Sequence, residues 1–295
     1  MNFIHTFYSK PLLNNKFSEY ELVLDAIITD YTYSAYCCQK ILGEKITLYA
    51  DKLGAEILSN IQYDEIKIID FNSSIDFAAS IKFEAINDMT EDDVLIDGDL
   101  FLQDIKLLDL INEYSKNYDF VYSFFEPYMQ ATRTDNGLDN PTKFKKMFSK
   151  MRTKEEIFKE PYTIPACDED LSWPNTSFMK FNNMELKQKY LEQYLFFKKE
   201  LEDIDFENTW PDLIIEQYNM KKLLEYGGYS SKAIIEDFPT NESNKYAIKI
   251  GFTHLGFSKI KINKLIKKDF KARFGEEELQ KIEDQISKWK DYKNK

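Results

Sequence analysis

The chain has too little cysteine to be held together covalently. Cys37, Cys38 and Cys167 are the only three in 295 residues, which excludes a disulfide framework. Adjacent Cys37 and Cys38 also lack the spacing of a zinc knuckle, so a reduced compartment is the expectation. Positive charge is scarce as well. Against 51 Asp and Glu stand 39 Lys and Arg, a formal charge of −12. Nucleic-acid polymers, which select a basic footprint, are therefore not expected partners. A nucleotide stays admissible, because one metal ion and a few lysines reverse the sign locally. No stretch approaches 18 apolar residues, so no transmembrane segment is expected. The opening MNFIHTFYSKPLLNN has no uninterrupted apolar run and no small-residue cleavage signal. The expected location is cytoplasmic, with the inner face of a membrane left open. Neither GxGxxG nor GxxxxGK occurs, which weakens dinucleotide and P-loop readings.

What the chain does have is aromatic residues, 15% of the total, enough for an aromatic-rich core and groove. It also has alternating helix and strand patterns. Strands are expected at Asn2–Tyr8, Ile46–Ala50, Ile66–Ile69, Val94–Ile96 and Phe120–Phe125. Helices are expected at Glu21–Leu42, stopped by Gly43, and at Lys52–Ser59, Ile75–Ile86 and Ile105–Tyr114. Strands spaced by helices of this length predict an α/β fold with a mostly parallel sheet flanked by helices. Residues 129–173, with Asn136-Gly137 and three prolines, read as a loop or small insertion of the kind that covers a site. The second half is expected to hold a strand at Ser177–Phe181 and a helix at Glu185–Glu200 with Leu186, Tyr190, Leu191, Tyr194 and Leu195 on one side. A further helix is expected at Asp212–Leu224 and a short strand at Tyr246–Ile250. Leu265–Phe274 reads as mixed. Leu279, Ile282, Ile286 and Trp289 give the helix Glu276–Tyr292 an amphipathic face, packed on its own domain or against a partner.

The chemistry concentrates in DVLIDGDLFL. An apolar strand delivers Asp97 and Asp99 to its end, Gly98 lets the chain bend or approach a ligand, and Leu100–Leu102 resume burial at once. Two carboxylates one residue apart suit Mn²⁺ or Mg²⁺, which accept carboxylate, water and phosphate oxygens. The competing account is a turn in which both acids cap backbone donors. That account alone does not explain two close acids between two apolar runs.

On these residues the chain resembles GT-A-type bacterial glycosyltransferases, the capsule and lipopolysaccharide sugar transferases and the galactosyltransferase-like group. The resemblance implies a GT-A-like, Rossmann-related domain over 1–260 and a C-terminal helical extension over 261–295. Asp97-Gly98-Asp99 resembles the family's D-x-D element, which holds a divalent metal against the nucleotide diphosphate. TLYADKLGAEIL implies Asp51 near the base or ribose, and FAASIKFEAI implies Lys82 near the donor phosphates. WPNTSFMKFNN resembles the acceptor-side strand, with Trp173, Asn175, Thr176 and Ser177 facing the acceptor and Asn182 capping the next helix. FTHLGFSK resembles the family's C-terminal His–Gly–Lys element. It implies His254 in the metal shell, with Gly256 and Lys259 at the diphosphate.

The implied activity is metal-dependent transfer of a sugar from a nucleotide-sugar donor to a glycan, lipid-linked or other hydroxyl acceptor. Glu216 and Asp212, four residues apart after Pro211, are the candidate catalytic acids. Nucleotidyl transfer, or a noncatalytic carbohydrate-binding or assembly protein on the same scaffold, is the alternative. Homo-oligomerisation and peripheral membrane association stay open.

Overall fold

The computed structural model describes residues 1–13, 20–70, 80–126, 150, 157, 159, 173–201, 214–236, 240–256, 259–290 and 292. In chain order they form β1 (Asn2–Phe7), α1 (Lys10–Leu13), α2 (Tyr20–Tyr36), β2 (Lys45–Ala50), α3 (Lys52–Ile57) and β3 (Glu65–Ile68). Then come α4 (Ser80–Asp88), β4 (Asp93–Ile96), β5 (Leu100–Leu102), α5 (Lys106–Asn117), β6 (Phe120–Glu126), β7 (Trp173–Pro174) and β8 (Phe178–Phe181). The remainder is α6 (Met184–Glu200), α7 (Asn219–Gly227), β9 (Ser231–Ile235), α8 (Asn241–Ile250), β10 (Phe252–His254), α9 (Lys259–Phe274) and α10 (Glu276–Trp289). The expected loop at 129–173 lies almost wholly outside the described residues, as do Asp212 and Cys167.

The chain divides into two compact units. The first comprises 1–73, 92–110 and 245–295, and the second 74–91 and 111–244. The first unit has the expected mostly parallel sheet flanked by helices: its strands run β3-β2-β1-β4, every neighbouring pair parallel. β1 and β2 are nearly wholly buried, as strands covered on both faces are. α2 lies along this unit with Val23, Ala26, Asp30 and Tyr33 all buried at three- and four-residue steps. It continues into a π-helical turn, Cys37–Leu42, which Gly43 ends at φ 71°, a left-handed position suited to glycine.

One buried polar chain ties this unit together. Ser34 on α2 donates its hydroxyl proton to the Leu100 carbonyl at 2.6 Å. Its oxygen therefore receives Nε2–H of His5, 2.9 Å away, and His5 Nδ1 is left to accept from the Tyr63 hydroxyl at 3.0 Å. Burial pushes the imidazole down to about 3, so it is neutral in the folded protein.

The last two helices pack back on the first unit. Gln285 donates to the carbonyls of Glu56 and Ile57, Tyr36 reaches the Glu278 carboxylate at 2.5 Å, and Lys267 bridges Asp25 and Glu283. Leu265–Phe274, read as mixed, is instead part of the continuous helix α9. The strand expected at Tyr246–Ile250 is also overturned. Those residues end helix α8, where Thr240 and Ser243 exchange N–H···Oγ bonds at its start and Gly251 takes φ 71° after its end. The β-branched run misled because Ile248 is 78% exposed, so it serves no core. The true strand, β10, follows directly.

In the second unit β6 is central, antiparallel to β7 and β8 and parallel to β9. α6 buries Leu186, Tyr190, Leu191 and Tyr194 as expected, but Leu195 points outward, 60% exposed. Its N-cap is Asn183, whose Oδ1 accepts from the N–H groups of Glu185 and Leu186. The expected cap Asn182 instead donates to the Tyr118 carbonyl.

Candidate active site

β4 carries Val94, Leu95 and Ile96 fully buried, then the chain turns tightly, Leu100 N–H bonding the Asp97 carbonyl at 3.0 Å. At the centre of that turn, a Cβ on residue 98 would lie 2.3 Å from the ring of Tyr31. Tyr31 is pinned through its hydroxyl to the Thr6 carbonyl at 2.6 Å, so the ring has little room to yield. Glycine at 98 is thus a packing requirement of the turn that separates the two acids.

The histidine arrives by strand pairing. β10 runs antiparallel to β5 with His254 opposite Leu100, and Leu255 N–H bonds the Asp99 carbonyl at 3.1 Å. His254 Nε2 lies 3.7 Å from Asp99 Oδ1, and Lys259 Nζ, at the start of α9, lies 3.5 Å from Oδ2. Asp97, Asp99 and His254 each offer a ligand atom within 4.8 Å of the others, the one such group of three or more among the described residues. Two carboxylate oxygens and one imidazole nitrogen fit a divalent cation; oxygen donors favour Mg²⁺ or Mn²⁺, and the nitrogen tilts the set toward Mn²⁺.

The electrostatics agree with that donor set. Burial pushes the Asp99 carboxyl up, but His254 and Lys259 outweigh it and hold it below the ordinary carboxylate range. Burial likewise works against the Lys259 ammonium, yet Asp99, Asp30 and Asp97 raise it above its usual value. A further acid, Asp30 on α2, is buried beside these charges. Burial, and then the charge of Asp99, hold its carboxyl well above the ordinary range, with Lys259 opposing. Sequence reading passed over Asp30. The available signal was its place on the buried stripe of α2, where an acid is out of pattern.

The remaining expected residues are distributed as follows. Asp51, at the end of β2, is the N-cap of α3: its carboxylate accepts from the Gly54 N–H and from the N–H and hydroxyl of Ser9. Gly256 takes a left-handed φ of 51° two residues after His254. The other residues belong to the second unit. There Lys82 forms a buried ion pair with Glu216 at 2.8 Å, and the Thr176 hydroxyl donates to the same carboxylate oxygen at 2.5 Å. Glu216 sits on a π-helical turn, Ile214–Tyr218, and Tyr190 donates to its backbone carbonyl. Such turns recur at functional sites. Asn175 Oδ1 accepts from Ser177 N–H at 3.0 Å, while the Ser123 hydroxyl bonds the Asn175 carbonyl at 2.6 Å. Trp173 is buried, edge-on to Tyr218.

No protein-family model matches this sequence, and no curated protein matches it significantly. Among solved structures, the chain is similar to the galactosyltransferase LgtC in complex with donor and acceptor sugar analogs: 10% identity, TM-score 0.40, over 78% of this chain and 73% of that one. It is similar to glycosyltransferase GlyE of Streptococcus pneumoniae TIGR4, with 12% identity, TM-score 0.36, and 84% and 48% covered. Mouse xyloside xylosyltransferase 1 in its apo form gives 11% identity, TM-score 0.37, and 80% and 86% covered. What the site can do follows from its own side chains.

Proposed function

We propose that the protein transfers a sugar from a nucleotide-sugar donor to a hydroxyl acceptor, with Asp97, Asp99 and His254 holding Mn²⁺ or Mg²⁺. The observation that carries this reading is the meeting of those three ligand atoms within 4.8 Å at a strand end. When bound, the cation neutralises the donor diphosphate and the charge that grows on it as it leaves.

The chain's own residues do the rest. Lys259 beside Asp99 supplies a second positive charge for the diphosphate, and the buried position of Asp99 lowers the local dielectric so that both charges count for more. The acceptor oxygen bonds to the anomeric carbon as the bond from that carbon to the diphosphate breaks, its electron pair leaving with the nucleoside diphosphate. The hydroxyl proton passes to a base. Glu216 is the candidate base among the described residues, fixed between Lys82 and Thr176, and Asp212 is the other acid expected on the acceptor side. Asn175, Thr176, Ser177 and Trp173 are assigned to the acceptor side, and Asp51 and Lys82 to the donor.

A panel of sugar nucleotides incubated with and without Mn²⁺, read out as nucleoside diphosphate release, tests the proposal. Release that requires the cation and disappears in D97A and D99A supports sugar transfer at this site. Pyrophosphate release from nucleoside triphosphates would replace it with nucleotidyl transfer. Oligosaccharide binding without turnover would replace it with a noncatalytic role.

A further inference from the structure

Asp30 is buried to 1% exposure, and neither of its carboxylate oxygens has a hydrogen-bond partner. Its neighbours on α2 are accounted for: Thr29 donates to Asp25, and Tyr31 to the Thr6 carbonyl. Asp25 in turn is met by Lys267 at 2.7 Å. An isolated buried carboxylate costs several kcal/mol even after relaxation, so a group of this kind asks for a counter-charge.

Asp30 sits one helical turn before Ser34, which donates to the Leu100 carbonyl at 2.6 Å, and next to Tyr31, whose ring abuts Gly98. The charges that act on it are those of Asp99, Lys259 and Asp25. Two of the three belong to the cluster at the end of β4. Asp30 itself falls outside the set of ligand atoms that lie within 4.8 Å of one another, so it is not placed to coordinate directly along with Asp97, Asp99 and His254.

We propose that Asp30 is a positioning residue of the cation site, an outer-sphere carboxyl whose two open oxygens accept hydrogen bonds from water on the bound ion. This rests on the metal reading given above and adds to it a residue outside the ligand set. Outer-sphere partners of this kind typically change metal affinity by ten- to a hundredfold when removed.

The test titrates Mn²⁺ into the full chain, without donor or acceptor, and follows free Mn²⁺ by its electron paramagnetic resonance signal. Wild type, D30N, D30A and D99N are compared, and the thermal midpoint of each metal-free protein is recorded. The expected result is that D30N weakens Mn²⁺ binding about tenfold or more. Its metal-free midpoint stays level or rises, because an amide of the same shape replaces a buried carboxyl that has no hydrogen bond to lose. D99N is expected to lose binding altogether. Wild-type affinity in D30N overturns the role of Asp30 and leaves the metal reading intact. A lowered midpoint with unchanged affinity assigns Asp30 to structure and overturns it equally. Failure of the wild type to bind Mn²⁺ overturns the metal reading itself, and the outer-sphere role with it. D30A decides the matter in the same terms if D30N does not fold.

Discussion

Each unit of the molecule buries an acid, and the two acids are treated in opposite ways. In the second unit Glu216 is met from inside the protein, by the Lys82 ammonium at 2.8 Å and the Thr176 hydroxyl at 2.5 Å. In the first, Asp30 has no hydrogen-bond partner among the described residues and lies in the field of Asp99 at the strand end and of Asp25 on its own helix, with Lys259 opposing. Internal compensation fixes a side chain in one geometry. Its lack leaves Asp30 with two oxygens that a group from outside can engage. His5 shows that this is a property of the site and not of the first unit as a whole. It is fully buried in the same unit, and both its ring nitrogens are satisfied.

The contrast can be broken most forcefully at the proposed cation ligands. D99N is expected to cut nucleoside diphosphate release roughly a thousandfold, the equivalent of the several kcal/mol that a cation contributes to a developing negative charge. A small effect would mean that the charge at the strand end is not balanced by a metal. The matching attack on the second unit is Lys82→Met. It strands Glu216 as an uncompensated buried charge and is expected to lower stability by about 3–5 kcal/mol in a urea titration. K82M/E216Q, which removes both charges, should recover most of that. If the double variant is no better than the single one, internal compensation is the wrong description.

Gly98→Ala probes how rigidly the acids are held. The new Cβ meets the pinned Tyr31 ring at 2.3 Å, and a loss of about 1–3 kcal/mol with weakened Mn²⁺ binding is expected. The gentlest test is pH. His5 stays neutral down to about 3 when folded and titrates near 6.5 when unfolded. The unfolded chain therefore binds the extra proton first. Its contribution is fully present above about 6.5 and is lost at about 1.4 kcal/mol per pH unit as the pH falls toward 3. His5→Gln should flatten that part of the stability profile relative to wild type. An identical slope in both would remove His5 from the set of satisfied buried groups.

Much of the first unit was legible in the sequence, because parallel strands buried on both faces announce themselves as short apolar runs. Asp93–Ile96 and its acids sit where Val94–Ile96 and the Asp pair were read. What failed to read had a local pattern overruled by something distant or by turn chemistry. Tyr246–Ile250 has β-branched spacing, but the Thr240–Ser243 exchange and Gly251 enclose it as a helix. Asp30 is visible only once α2 is known to be buried along that line. Glu216 was read as an acid on an amphipathic helix; nothing in the sequence pairs it with a lysine 134 residues earlier.

The ribbon of β5 and β10 also sets a schedule. Asp99 and Lys259 are separated by 160 residues, and His254 joins the acids only after the whole intervening stretch has been made. At about 5–20 residues per second of synthesis, the acids leave the ribosome about 8–32 s before that lysine. Through that interval the nascent chain carries DGD without its histidine. Cation binding during translation would therefore mark the moment at which the segment beyond residue 251 has docked, and a stalled chain ending before it would give none.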